Sequence, residues 1–334
     1  DATSVPLADD SVDLVVTSPP YFGLRSYTDG GEHYDGQIGS EATPQAFLEA
    51  LWAVTAECRR VLKPSGSMFV NLGDSYSRGS RTTVDGTTDK RRQGDSRVPP
   101  CRDIPAKSRM MLPQRYAIGC IDQLGLILRA EIIWSKPNGL PESVTDRVRR
   151  SHEQWFHFTK EPRYYSAVDE VREPHGEPER STGQRETGSG KRAATTDETN
   201  GMFSGERVRE YNPLGKLPGS VWTIPTEPLR VPDHIGVDHF AAFPSEWPRR
   251  LILGWSPSGV CVACGEGRRP VYDREIVATR GKANRTERDR TAGTASAGTA
   301  WESGLGVYGH YELTRTGEAC ACPDTTAPTR PAVV

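Results

Sequence analysis

Val12-Asp13-Leu14-Val15-Val16 leads directly into Thr17-Ser18-Pro19-Pro20-Tyr21, and this junction limits what the chain can fold into. An apolar run of that length closed by two prolines predicts a buried parallel strand that stops abruptly. Proline lacks a backbone donor and fixes its own φ, and it drives the residue before it into extended geometry. Ser18, Pro19 and Pro20 therefore form a rigid, donor-poor ledge at the carboxyl end of a strand, with the aromatic Tyr21 beside it. In open α/β sheets that edge is where ligands bind. A planar amino group on a heterocycle can donate to the Ser18 hydroxyl and the Pro19 carbonyl while Tyr21 stacks on the ring. A bare strand stop is the alternative reading of the same residues.

The downstream pattern supports an α/β fold. Thr43 before Pro44 is a helix start, and Phe47, Leu48, Leu51, Val54, Cys58, Val61 and Leu62 follow at helical spacing until Lys63-Pro64-Ser65-Gly66. Ser67 to Leu72 predicts the next strand, and strand–helix–strand order implies a crossover and a parallel pair. A short helix from Leu112 ends at Gly125, with strands over Leu126 to Trp134 and Glu153 to Thr159. His152 beside Glu153 suits either acid–base work or a structural hydrogen-bonding pair. Val221 to Pro225 resumes the core.

With 334 residues, 33 of them glycine and 26 proline, and only 35% hydrophobic, part of the chain must be loop. Residues 77–107 and 173–215 have almost nothing to bury. The first is expected to be a mobile loop, either simply disordered or ordering on a polyanion. A net charge of −2 excludes a global positive field, so any polyanion contact must be local. The cations are mostly arginine, which fits phosphate and guanine recognition and equally a GC-rich coding bias. Without a signal peptide or an apolar span of ~20 residues, the expected location is cytoplasmic.

The Thr17–Tyr21 stretch resembles the catalytic motif of DNA amino-methyltransferases of the β group. Trp134, Lys136, Pro137, Asn138, Pro141, Ser143, Asp146, Arg147, His152, Glu153 and Phe158 resemble the block that follows it in that family. The resemblance covers about 1–76, 108–172 and 216–258. It implies a Rossmann-like, mainly parallel sheet of the S-adenosylmethionine-dependent methyltransferase type. It also implies base flipping from double-stranded DNA and methyl transfer to cytosine N4 or adenine N6. Ser18 in the first motif position is more similar to the cytosine-N4 members. Ser18, Pro19, Pro20 and Tyr21 take the catalytic place. Asp1, Thr17 and the His239-Phe240 and Phe243-Pro244 pairs take the S-adenosylmethionine side, although Pro244-Ser245-Glu246 also reads as a helix start. A partner restriction nuclease belongs to the same expectation, whereas nothing sets an oligomeric state. A catalytically silent DNA-binding chain is the rival from another class.

Cys261-Val-Ala-Cys264-Gly265 is a two-cysteine knuckle, and Cys320-Ala-Cys322 supplies a second pair about 55 residues later. Two close pairs fit tetrahedral zinc, with a redox dithiol and free thiols as alternatives. The expected organisation is a catalytic α/β domain over 1–172 and a low-complexity insertion over 173–215 in the family's target-recognition slot. The core returns over 216–258, a zinc-ribbon-like insertion fills 259–324, and a strand begins at 325–334. The family's glycine-rich cofactor loop, Asp-Pro-Phe-x-Gly-x-Gly, occurs nowhere in the chain. The expectation is a fragment clipped at both ends, with poor cofactor affinity on its own.

Overall fold

A computed structural model describes residues 1–24, 28–29, 32–33, 36–77, 101, 103–175, 212–228, 242–279, 308–322 and 326–334. The first strand, β1 (Val12–Thr17), ends where the prolines begin. Two short strands, β2 (Thr28–Asp29) and β3 (Glu32–His33), pair antiparallel. Helix α1 (Pro44–Val61) starts at the expected cap, where the Ala46 amide donates to Thr43 Oγ1 at 3.1 Å. No loop follows it. Strand β4 (Leu62–Leu72) begins at once and carries Lys63-Pro64-Ser65-Gly66 as an irregular first half, because β1 pairs with it through a register shift.

Helix α2 (Leu112–Asp122) packs on α1 where Gly119 meets Trp52. A β-carbon at Gly119 would lie 2.1 Å from the indole, so the helices approach this closely only at glycine. Gly125, at φ +62°, turns the chain into β5 (Ile127–Ser135). Strand β6 (His152–Thr159) follows, then β7 (Val221–Thr223) and helix α3 (Glu246–Trp255). Beyond them come β8 (Val260–Cys261), the long pair β9 (Arg269–Thr279) and β10 (Tyr308–Ala319), and β11 (Thr329–Arg330).

The main sheet has the order β1-β4-β6-β5-β7. β1 and β4 are parallel, as are β5 and β7, but β6 runs against both of its neighbours. Four strands therefore share one direction and the mainly parallel expectation holds with one reversed strand. The reversal follows from the β5–β6 link, which contains Pro137 and Pro141 and no helix to make a crossover. The Lys136 amide bonds the Ser151 carbonyl at 2.9 Å and closes that link as a wide hairpin.

Both faces of the sheet are covered. Met68, Val70, Phe156 and Phe158 face α1 and α2, together with Leu51 and Tyr116. Leu14, Phe69 and Trp155 face α3, together with Trp134, Trp222, Trp247 and Leu251. Trp247 stacks on Trp155 and Trp222, with centroids 4.5 and 4.9 Å away. Alternate residues of β4 thus enter opposite cores, as a two-sided buried strand requires.

The chain divides into two compact units. The first contains Asp1–Val171, Gly219–Arg269 and Ala319–Val334, and the second Arg172–Pro218 and Pro270–Glu318. The boundaries differ from the sequence expectation: 259–269 and 319–322 belong with the core, and 216–218 with the second unit. In that unit β9 pairs with β10, and Glu173 and Lys216 exchange backbone bonds. The expected loop at 77–107 lies mostly outside the described residues. Its described ends are fastened by bonds between Ser77 and both Lys107 and Ser108, at 2.8 Å each. Among the described residues no helix is long and apolar enough to cross a membrane.

His157 is buried on β6, stacked on Phe69 at 4.2 Å and bonded to Ser67 Oγ at 3.0 Å. Burial, reinforced by Arg129, pulls its pKa down to about 3. Below pH ~6.5 the unfolded chain therefore takes up this proton first, and stability falls between pH ~6.5 and about 3 by up to ~1.4 kcal/mol per unit. Urea unfolding at pH 8 and pH 5 should show a smaller pH difference for His157→Gln than for the parent chain.

Candidate active site

The strand ends converge. The carboxyl ends of β1, β4 and β5 and the amino end of the reversed β6 lie on one edge of the sheet. They line a cleft of about 510 Å³ together with the segment after β7. Ser18, Pro19, Pro20 and Tyr21 all line it, as do Trp134, Lys136, Asn138, Pro141, His152 and Glu153 from the downstream block.

A polar chain fixes the ledge. Asn71, only 1% exposed, sits in β4 opposite Ser18 and Tyr21. Its Oδ1 accepts from the Tyr21 hydroxyl at 2.8 Å and from Ser18 Oγ at a long 3.4 Å, and its Nδ2 donates to the Gln154 carbonyl at 3.0 Å. Glu153 Oε2 also lies 2.8 Å from the Tyr21 oxygen, so the single hydroxyl proton has two acceptors in reach, Asn71 and Glu153, and Lys136 Nζ donates to Glu153 Oε1 at 2.5 Å. The same ammonium lies 3.9 Å from the centre of the Trp134 ring. Burial and the Glu153 carboxylate push the Tyr21 hydroxyl well above its ordinary pKa, so it stays protonated and serves as a donor. The Ser18 hydroxyl carries one proton and two lone pairs, so it can accept from a donor in the cleft while bonded to the Asn71–Tyr21 pair.

The rim is braced as well. Asn138 donates to the Thr226 carbonyl at 3.1 Å and accepts from its amide at 2.7 Å, joining the β5–β6 link to the segment after β7. Burial pushes the Glu142 carboxyl up, but bonds from Arg147 and the Arg150 amide outweigh it and hold the group below its ordinary range. Arg150 also bonds the carbonyl of Asp74. The buried Asp74 carboxylate accepts from the Met111 and Leu112 amides at 3.2 and 3.0 Å, fixing the start of α2.

The residues expected on the cofactor side are only partly brought together. Phe243 lines the cleft and packs edge-on against Trp155 at 5.2 Å. Pro244 lines a neighbouring hollow with Glu246 and Arg250, and its carbonyl accepts from the Trp247 amide, so it starts α3. Thr17 ends β1 opposite Val70, and Asp1 accepts from the Thr3 amide and hydroxyl; neither is in the cleft lining. His239 and Phe240 lie outside the described residues. Of the His152-Glu153 pair, Glu153 bonds Tyr21 and Lys136, and both side chains line the cleft.

Sequence reasoning missed Asn71 and the tie between Lys136 and Glu153. The available signal was an asparagine inside the apolar run Met68-Phe69-Val70, since a buried amide must find partners. Elsewhere in the core, the sulfurs of Cys261, Cys264 and Cys320 lie within 4.8 Å of one another, and Cys322 stands outside that group. The amides of Cys264 and Ala263 bond the Cys261 sulfur, lowering its pKa to about 7.

Gly73 determines where the Tyr21 ring can lie. A β-carbon there would come 2.6 Å from Tyr21 Cε2. Gly73→Ala should cost about 1–3 kcal/mol in urea unfolding. In a Tyr21→Ala background the same change should cost markedly less, which a double-mutant cycle measures.

A family profile described as DNA methylase, of N6/N4 methyltransferases, matches residues 12–263. The type II methyltransferase M.SmaI of Serratia marcescens is 34% identical over 76% of this chain and 72% of its own length. M.XycI of Xanthomonas campestris pv. cyanopsidis is 42% identical over 50% of this chain, which spans only 54% of that relative. Among solved structures, the cytosine-N4-specific PvuII DNA methyltransferase aligns with a TM-score of 0.45 at 18% identity, over 76% of this chain and 67% of its own. The profile spans well over half of the residues, and the chain belongs to the N6/N4 DNA methylase family.

Proposed function

We propose that the cleft receives a cytosine flipped from double-stranded DNA and directs methyl transfer from S-adenosylmethionine to its exocyclic N4. The observation that carries this reading is Ser18 directly after β1, lining the cleft beside Pro19 with its Oγ 3.4 Å from Asn71 Oδ1. Family membership supports the reaction class, and serine in the first motif position supports cytosine over adenine.

The cleft chemistry fits a sulfonium donor. Phe243 offers an aromatic surface and Glu227 a carboxylate on the same lining. When bound, S-adenosylmethionine supplies the electrophilic methyl group. The chain's own residues act on the acceptor. Ser18 Oγ and the Pro19 carbonyl accept the two amino hydrogens, which draws electron density onto nitrogen and aims its lone pair. Pro19 and Pro20 present no backbone donors that would compete for that lone pair. Tyr21, fixed through its hydroxyl, provides a ring wall for the base. No general base is required, because the nitrogen becomes acidic as it is alkylated and releases its proton to water. Positioning of this kind can contribute on the order of 7–11 kcal/mol.

Nucleoside analysis of DNA from a strain expressing the intact gene tests the reading. N4-methylcytosine is the expected product, and about a hundredfold less of it should form with Ser18→Ala, by analogy with loss of one aligned hydrogen bond. N6-methyladenine instead would overturn the base assignment. Absence of both products would overturn the enzymatic reading in favour of DNA binding alone. A type II modification activity of this kind implies a restriction nuclease with the same recognition site.

A further inference from the structure

We propose that Cys261, Cys264, Cys320 and Cys322 bind one zinc ion, and that this metal fastens residues 326–334 against β1, the strand whose end carries the cleft. The proposal stands on a part of the molecule separate from the methyl-acceptor reading.

The first half of the site is already shaped as a metal knuckle. The Gly265 amide bonds the Cys261 carbonyl at 2.9 Å, and Gly265 takes φ +74°, a left-handed conformation that suits glycine. This turn places Cys264 beside Cys261. Cys320 joins them from a distant part of the chain, so that all three sulfurs lie within 4.8 Å of one another as free thiols. With zinc–sulfur bonds of about 2.3 Å, tetrahedral ligands stand roughly 3.8 Å apart, so the sulfurs need to close by no more than about 1 Å. Cys264 is exposed, which leaves the triad open on its solvent side. Cys322 follows Cys320 by two residues, at most about 7 Å of chain, and is the thiol nearest in sequence to complete a closed four-sulfur site.

The triad sits where two distant segments meet. Cys261 in β8 pairs with Thr329 of β11, and the Val262 amide bonds the Pro328 carbonyl at 2.9 Å. Gly259 approaches so closely that a β-carbon there would lie 2.9 Å from Thr329 Cβ. A few residues further on, the Val333 carbonyl accepts from the Asp13 and Leu14 amides at 2.8 and 3.2 Å. The Val333 amide donates to Asp13 Oδ2 at 3.0 Å, while Lys63 holds the other oxygen of Asp13 at 2.5 Å. Among the described residues this segment is held by the two-residue β8–β11 pair, single bonds at Ala327 and Pro328 and the bonds at Val333, and it is reached only after the long stretch between the cysteine pairs. Closing a loop of that length costs entropy, and a metal bridging its two ends lowers that cost.

The test uses the purified chain, zinc and hydrogen exchange. Elemental analysis should find one zinc per chain. Removing it with a chelator should expose four thiols to a thiol reagent and speed exchange of the peptide covering Val12–Leu14 at least tenfold, with zinc restoring protection. Cys264→Ser should lose the metal while Cys58→Ser, packed on the helical core, retains it. Cys322→Ser binding zinc as tightly as the parent would overturn the fourth ligand. A metal-free chain purified in the presence of zinc, or a disulfide among these cysteines by mass, would overturn the site. Unchanged Val12–Leu14 exchange on chelation would overturn the link to β1, and it is read on the parent chain whether or not the variants fold.

Discussion

A buried amide near the carboxyl end of a hydrophobic strand organises the edge that carries the cleft. Asn71 has lost its water and must be bonded on both sides, since an unsatisfied buried partner costs about 1–3 kcal/mol. Its amino group is met by the β6 backbone and its oxygen by Ser18 and Tyr21. The single Tyr21 hydroxyl proton lies within reach of both Asn71 and Glu153, and the charge of Glu153 is compensated by Lys136 over Trp134. Four strand ends are thereby joined through side chains. The Pro-Pro ledge is rigid by itself, but its place relative to β4 and β6 comes from this amide.

The reversed strand has a consequence for function. Had β6 run with its neighbours, its amino end would lie on the opposite edge, and Glu153 would be far from Tyr21. Because it is antiparallel to both β4 and β5, its first residues arrive beside the last residues of β1, β4 and β5. The cleft thus combines the usual ligand-binding edge of an α/β sheet with carboxylate and imidazole groups from a strand start. On the other face, stacked tryptophans from β6, β7 and α3 support this edge from below.

Asp13 plays a comparable part at the other end of β1. It is an acidic residue inside an apolar strand, compensated by Lys63 and used to accept the Val333 amide. The apolar run around it is legible as a strand, but the partners of the aspartate are not. Both buried polar residues, Asn71 and Asp13, interrupt otherwise apolar strands, and both tie segments distant in sequence.

What the sequence determined by itself was local. Thr43-Pro44 starts α1, Gly125 ends the turn after α2, Pro19-Pro20 stops β1 and Gly265 closes the cysteine knuckle. In each case the cause lies in one or two residues: a missing amide, a fixed φ, a permitted positive φ or a capping oxygen. The ledge, the aromatic beside it and the downstream block were legible for the same reason. Only the tertiary structure decided that β6 runs backwards, that Glu153 meets Tyr21 and Lys136, and that Cys320 meets the knuckle while Cys322 stands apart. It also placed Phe243 in the cleft and Thr17 and Asp1 outside its lining. These outcomes depend on register and on which buried group reaches which partner across the sheet, and strand alternation fixes a side chain's face without naming the group it will meet there.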